Sequence, residues 1–284
     1  MMKKGINAWS FPAGMGAKEC IRLAKSAGFD GIELALAETG ELSLASGEKD
    51  ALELKAFAED NGIELSSLAS GLYWDYPLTS SDEAIRRKGL DVGKKQLETA
   101  AALGVDTILL IPGAVGVDFI PGAEVVPYDI AYDRAQEAVS QLASIAAEHK
   151  VNIGLENVWN KFLLSPLEMR NFIDEIGSPW VGSYFDVGNT LANGYPEHWV
   201  SILGKRIKKV HFKDYRRQAG GLHGFVDLLA GDVDYPVVVK ALEAVGYDDY
   251  VIAEMIPAYT HHSEQIIYNT SRSMDRILGR EAPR

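Results

Sequence analysis

Three carboxylates and one imidazole stand out, because each closes an apolar run. The segments are Gly154-Leu155-Glu156-Asn157, Tyr184-Phe185-Asp186, Val210-His211-Phe212 and Ile252-Ala253-Glu254-Met255. Side chains of these types hold divalent cations or carry protons. Three carboxylates gathered at one point would repel one another strongly. A divalent cation removes that conflict. Three oxygens and one ring nitrogen suit Mn²⁺, Mg²⁺, Co²⁺ or Zn²⁺, and the oxygen-rich set leans towards the harder ions. Taken singly, each acid reads better as a helix cap or a solvated loop residue, and a lone His as a structural one. Jointly that reading is weak, because four unrelated residues would have to fall on successive strand ends by accident.

The elements that must position them follow from a local rhythm. Gly28-Phe29-Asp30, Gly62-Ile63-Glu64, Gly104-Val105-Asp106 and Gly246-Tyr247-Asp248 each follow a helical stretch and precede an apolar run. Glycine suits the left-handed position that ends a helix, and the apolar run suits a buried parallel strand. This predicts strands over 5–8, 31–36, 65–69, 107–111, 152–156, 181–185, 208–212 and 250–254. Helical patterns fall between them, over about 18–27, 48–60, 82–103, 129–149, 166–176, 196–203, 234–245 and 262–278. The sharpest helix start is Asp234-Tyr235-Pro236, a capping acid with Pro in the first turn. Strict alternation reads as a (β/α)₈ TIM barrel, one domain over residues 1–284. The doubly wound alternative lacks its glycine fingerprint: Phe11-Pro12-Ala13-Gly14-Met15-Gly16 has two glycines but no third at the required spacing. Barrel chemistry sits at the carboxyl ends of strands. Neighbouring strands lie ~4.8 Å apart, so the four side chains on strands five to eight can converge.

Composition narrows the class. The 284 residues carry 28 Lys+Arg against 40 Asp+Glu, a formal charge of −12. That balance argues against a broad nucleic-acid or membrane footprint. Cys20 is the sole cysteine, which excludes an internal disulfide and argues against a cysteine-built zinc site. No long apolar run follows the two lysines near the start, so neither a signal peptide nor a spanning helix is expected and the default is a cytoplasmic protein.

Leu155-Glu156-Asn157, Phe185-Asp186-Val187-Gly188-Asn189, His211-Phe212-Lys213-Asp214 and Ala253-Glu254-Met255 resemble the sugar-phosphate isomerase/epimerase family of xylose-isomerase-like barrels. Gly231-Asp232-Val233-Asp234-Tyr235 is a softer match, and the resemblance covers nearly the whole chain. It implies one divalent metal, usually Mn²⁺, held by Glu156, Asp186, His211 and Glu254. It further implies that Glu156 and Glu254 move the substrate proton, while Asp186 and His211 are ligands only. A ketose chelated through its C2 carbonyl and C3 hydroxyl would pass through a cis-enediolate, giving the C3 epimer. Proton delivery between C1 and C2 would give aldose–ketose isomerisation instead.

In motif the chain is most similar to the L-ribulose/L-xylulose-5-phosphate 3-epimerases. Epimerases of free ketoses usually carry a His three residues after the Asp ligand, where this chain has Asn189, and a second Glu where it has Phe162. Both departures count against a free ketose. Asn189 is a candidate for a substrate hydroxyl, or simply a turn residue. Lys213, Arg216 and Arg217 are candidates for a phosphate or a sugar hydroxyl, Arg217 by its offset from the His ligand, while Arg216 reads equally well as part of a solvated basic loop. Asp214 is expected to orient a neighbour. Asn7, Trp9 and Phe11 after strand one, and Tyr73 and Trp74 after strand three, are candidates for a wall around a sugar, or for core. His223 lies in a glycine-rich loop that could close over the site. The expected partner is a small ketose or ketose phosphate, with assembly as a homodimer or homotetramer on resemblance alone.

Three rivals remain at this level. An apurinic-site endonuclease would want three zinc ions and many histidines, which six His and a charge of −12 disfavour. A dehydratase acting on a keto-inositol or a dehydroshikimate needs the same metal and a similar enolate. A non-catalytic sugar-binding barrel need not keep both glutamates.

Overall fold

The computed structural model describes residues 2–256 and 259–280. The ends of the domain expected over 1–284 therefore lie outside the described residues. Eight parallel strands close into a barrel: β1 (Lys3–Asn7), β2 (Gly31–Ala35), β3 (Glu64–Ala69), β4 (Thr107–Leu110), β5 (Asn152–Glu156), β6 (Val181–Asp186), β7 (Ile207–Phe212) and β8 (Tyr250–Ala253). Each strand pairs with its neighbours in sequence, and β8 closes the ring on β1 through Ile6 opposite Ala253. The helices are α1 (Ala17–Ser26), α2 (Glu48–Asp60), α3 (Glu83–Leu103), α4 (Tyr128–His149), α5 (Pro166–Ile176), α6 (Pro196–Leu203), α7 (Tyr235–Ala244) and α8 (Gln265–Ile277). The expected barrel is the observed one.

The local signals act as their chemistry requires. Gly28, Gly62, Gly104 and Gly246 all have φ between 65° and 86°, the left-handed region that ends a helix without a Cβ clash. Asp82, Ser165 and Asp234 each accept a first-turn backbone N–H with the side chain, starting α3, α5 and α7. One helix starts later than its pattern predicted. His262 adopts φ 51°, which an α-helix cannot continue, so α8 begins at Gln265.

One continuous apolar cluster fills the space between barrel and helices. A smaller one, Leu191, Tyr215 and Phe225 with Trp159, covers part of the mouth. It is built on a two-residue antiparallel ladder between Asp214–Tyr215 and Phe225–Val226, in the segment joining β7 to α7. Register slips by one residue between Ile32 and Glu33 and again between Ser183 and Tyr184. Such irregularities re-aim side chains, and Glu33 and Tyr184 meet inside the barrel.

Candidate functional site

Glu156 and Asp186 are the last residues of β5 and β6, and His211 is the penultimate residue of β7. Glu254 lies one residue past β8, where its backbone N–H still pairs with Phe212 O at 3.0 Å. One ligand atom from each of the four lies within 4.8 Å of every other, and all four residues are buried. His211 Nδ1 is the hub, 3.1 Å from Glu254 Oε2, 3.7 Å from Glu156 Oε1 and 3.9 Å from Asp186 Oδ2.

Four buried polar side-chain atoms among the described residues lack a hydrogen-bond partner. Three of them, Asp186 Oδ2, His211 Nδ1 and Glu254 Oε2, point at this one spot. Buried polar atoms are rarely left unpaired, because each costs ~1–3 kcal/mol. A cation placed among them satisfies all three at once. The donor set therefore fits a divalent ion, which these four residues could hold.

Lys213 is the nearest fixed cation. Its buried ammonium lies 3.2 Å from Asp186 Oδ2 and 2.9 Å from Glu254 Oε2, close but without hydrogen-bond alignment to either. The electrostatics separate the two glutamates. Burial, reinforced by Glu254, pushes Glu156 up to about 7, against the pull of His211 and Lys213. Burial pushes Glu254 the same way, but Lys213 and His211 outweigh it and hold that carboxyl below its usual range. A dication at the hub would lower both by its own charge.

The residue that the sequence reading missed is Glu33. It is fully buried in β2, and all its partners are inside the barrel. Oε1 accepts from His211 Nε2 at 2.8 Å and Asn7 Nδ2 at 2.5 Å. Oε2 accepts from Ser67 Oγ at 2.7 Å and from the Tyr184 hydroxyl. Burial pushes the Glu33 carboxyl up, but His211, Tyr184 and Ser67 outweigh it, so it stays ionised. With its Nε2–H tied to Glu33, His211 presents Nδ1 to the cluster, the arrangement by which a carboxylate fixes the tautomer of a ligating histidine. The signal was present: an acid inside the apolar strand Gly31-Ile32-Glu33-Leu34-Ala35, where the two-residue period points it inward.

A cavity of about 570 Å³ opens above the cluster. Of the four clustered residues only Glu156 and Glu254 line it; Asp186 and His211 lie beneath. Trp9, Trp74, Asn189, Lys213 and His223 are also on its wall.

Other candidates are elsewhere. Asn7 is turned into the barrel floor, held by Glu33 and by Trp9 N–H at 2.6 Å. Phe11 is core, and Tyr73 donates to Gln96 inside the protein. Arg217 does not line the cavity: its Nε donates to Leu191 O at 3.1 Å and its guanidinium lies over the Tyr195 ring. That removes the geometric basis for Arg217 as a substrate contact. Asn189 does two jobs in the turn after β6, its N–H on Asp186 Oδ1 at 2.8 Å and its amide on Asn157 O at 3.0 Å, while still reaching the cavity wall. Asn157 in turn clamps the Asp186 backbone through both its side-chain atoms, at 2.8 Å each.

Comparison with known proteins agrees with this architecture. A family model described as the xylose isomerase-like TIM barrel matches residues 21–276. A putative L-ribulose-5-phosphate 3-epimerase (SgbU) of Escherichia coli is 28% identical, over 84% of this chain and 82% of its own. The L-ribulose-5-phosphate 3-epimerase UlaE of Salmonella typhimurium is 24% identical, over 98% and 94%. Among solved structures, an L-ribulose 3-epimerase superposes with a TM-score of 0.80 at 19% identity, over 98% of this chain and 94% of that one.

Proposed function

This chain belongs to the xylose isomerase-like TIM barrel family, and from that premise we propose that it is a divalent-metal-dependent ketose 3-epimerase. The observation that carries the reading is the convergence of three unpartnered donor atoms beneath a cavity that only the two glutamates of the cluster enter. The names of the three relatives described above, 3-epimerases of a ketose or its phosphate, support it.

Glu156, Asp186, His211 and Glu254 would hold the ion, with Mn²⁺ as the favoured metal. Bound there, it would act as a Lewis acid on the C2 carbonyl and C3 hydroxyl of a ketose. One glutamate takes the proton from C3, and the C–H electron pair moves into the C2–C3 bond as the carbonyl becomes an oxyanion. The other glutamate returns a proton to the opposite face of C3, and the carbonyl reforms. Glu156 and Glu254 stand on β5 and just past β8, with β6 and β7 between them, which suits action on opposite faces. The reaction is reversible, so each glutamate serves as both acid and base. Lys213 holds the Asp186 and Glu254 carboxylates in place. Trp9 and Trp74 keep water from the enediolate. Assembly as a homodimer or homotetramer belongs to this reading on family resemblance, and action in the cytoplasm belongs to it as the default.

The test is incubation of the Mn²⁺-loaded protein with a panel of ketoses and ketose phosphates in D₂O. Deuterium at C3 with inversion is expected. Deuterium at C1 or C2 would replace epimerisation by isomerisation, and loss of water from the product would replace it by dehydration.

A further inference from the structure

A phosphate-bearing substrate needs donors at its far end, either cations free to turn towards it or an open nest of backbone N–H groups. The cations around this mouth are engaged. Lys213 sits between Asp186 and Glu254 with its ammonium 5.0 Å from the centre of the Phe225 ring. Arg216 donates to Ala230 O at 2.7 Å, Arg217 to Leu191 O, and Lys161 pairs with Asp118 at 2.6 Å. Besides Lys213, His223 is the one basic side chain on the cavity wall among the described residues.

The backbone site after strand seven is filled as well. In (β/α)₈ barrels a phosphate is frequently held by the loops after strands seven and eight. Here the N–H groups of Tyr215, Leu229, Gly231 and Val233 converge on the Asp214 carboxylate at 2.8–3.2 Å. The fit is so close that a Cβ on Gly231 would come within 2.1 Å of Asp214 Oδ1. Asp232 takes the Arg217 N–H, and Asp234 caps α7. An internal carboxylate fills the anion nest, and two further aspartates stand beside it.

What the cavity does offer is aromatic surface. Trp9, Trp74 and Trp159 share its wall with Phe119 and Phe225. Indole faces stack on the C–H faces of sugars. The volume lies within the ~300–1,000 Å³ of sites that take drug-sized ligands, room for a hexulose or its glycoside. Phe162, which on resemblance counted against a free ketose, is buried among Tyr128, Tyr132 and Phe172 and is absent from this wall.

We propose that the substrate is an uncharged ketose whose far end stacks on this indole wall, and not a ketose phosphate. The inference rests on the epimerase reading and names its substrate class.

Matched pairs test it: L-ribulose against L-ribulose 5-phosphate, and D-fructose against D-fructose 6-phosphate, with isomaltulose carrying a glucosyl group on the same oxygen as that phosphate. In C3 deuterium exchange by the Mn²⁺-loaded enzyme, kcat/KM for the uncharged member is expected to exceed that for its phosphate by about tenfold or more, as desolvating a charged group without a hydrogen-bond partner would give. Trp74→Ala should lower kcat/KM for the uncharged sugars while Mn²⁺ affinity is unchanged. A preference for the phosphates overturns the proposal. If no member exchanges, the epimerase reading falls, and tryptophan-fluorescence titration with the same pairs decides the substrate class. Tighter binding of the uncharged members would then uphold the inference; tighter phosphates, or no binding, would overturn it.

Discussion

Glu33→Gln isolates the contribution of the buried carboxylate behind His211. The amide is nearly isosteric and has an orientation that the surroundings accept. Its oxygen takes the place of Oε1, because His211 Nε2–H and Asn7 Nδ2 can only donate there. Its nitrogen takes the place of Oε2, where the hydroxyls of Ser67 and Tyr184 can turn to accept. No donor is orphaned, so the fold should survive. What is lost is charge on the acceptor to His211. A hydrogen bond to a charged group contributes ~1.5–3 kcal/mol, against ~0.5–1.5 for a neutral pair. The difference, about 1–1.5 kcal/mol, corresponds to about tenfold in Mn²⁺ Kd, at the lower end of the ~10–100-fold seen when partners of metal ligands are removed. Calorimetric titration with Mn²⁺ reads the affinity, and thermal unfolding of the metal-free proteins checks the fold. Tyr184→Phe, which removes a donor from the other carboxylate oxygen only, should weaken binding less. Equal Mn²⁺ affinity for Glu33→Gln and the parent protein would refute the reasoning.

Saturating Mn²⁺ should raise the Tm by about 5–10 °C at a hundredfold excess over Kd, and chelation should reverse it; no shift in scanning calorimetry would mean that the ion does not bind the folded cluster. Lys213→Met removes the fixed counter-charge of Asp186 and Glu254, so the metal-free protein should lose ~3–5 kcal/mol of stability. Mn²⁺ should restore most of it, and an equal loss with and without metal in urea titrations would count against the shared-cation picture.

The barrel was legible because its punctuation is local. Gly28, Gly62, Gly104 and Gly246 mark helix ends by a backbone conformation that few other residues adopt, and the apolar runs after them have one parallel arrangement that buries both faces. The four clustered residues were legible because strand ends in a closed barrel converge by construction. The supporting residues were not, because their roles depend on register and on chain separation. Glu33 reaches His211 across 178 positions, and the one-residue slips beside Glu33 and Tyr184 have no marker in the sequence. Arg217 lies off the cavity wall for the complementary reason. Its offset from His211 is fixed by the chain, but the Asp214–Tyr215 ladder with Phe225–Val226 turns the segment and sends the guanidinium to Leu191.

Glu156 and Glu254 as the proton-moving pair form the central claim, and C3 solvent-deuterium exchange in Glu156→Gln and Glu254→Gln tests it most directly. Each amide keeps an oxygen for the ion, so metal content can be verified by titration before the rate is read. Losing a positioned acid or base costs ~10²–10⁴-fold. Exchange reduced by that factor in both variants with Mn²⁺ bound is the predicted result. Near-parental exchange in either metal-loaded variant would contradict the account.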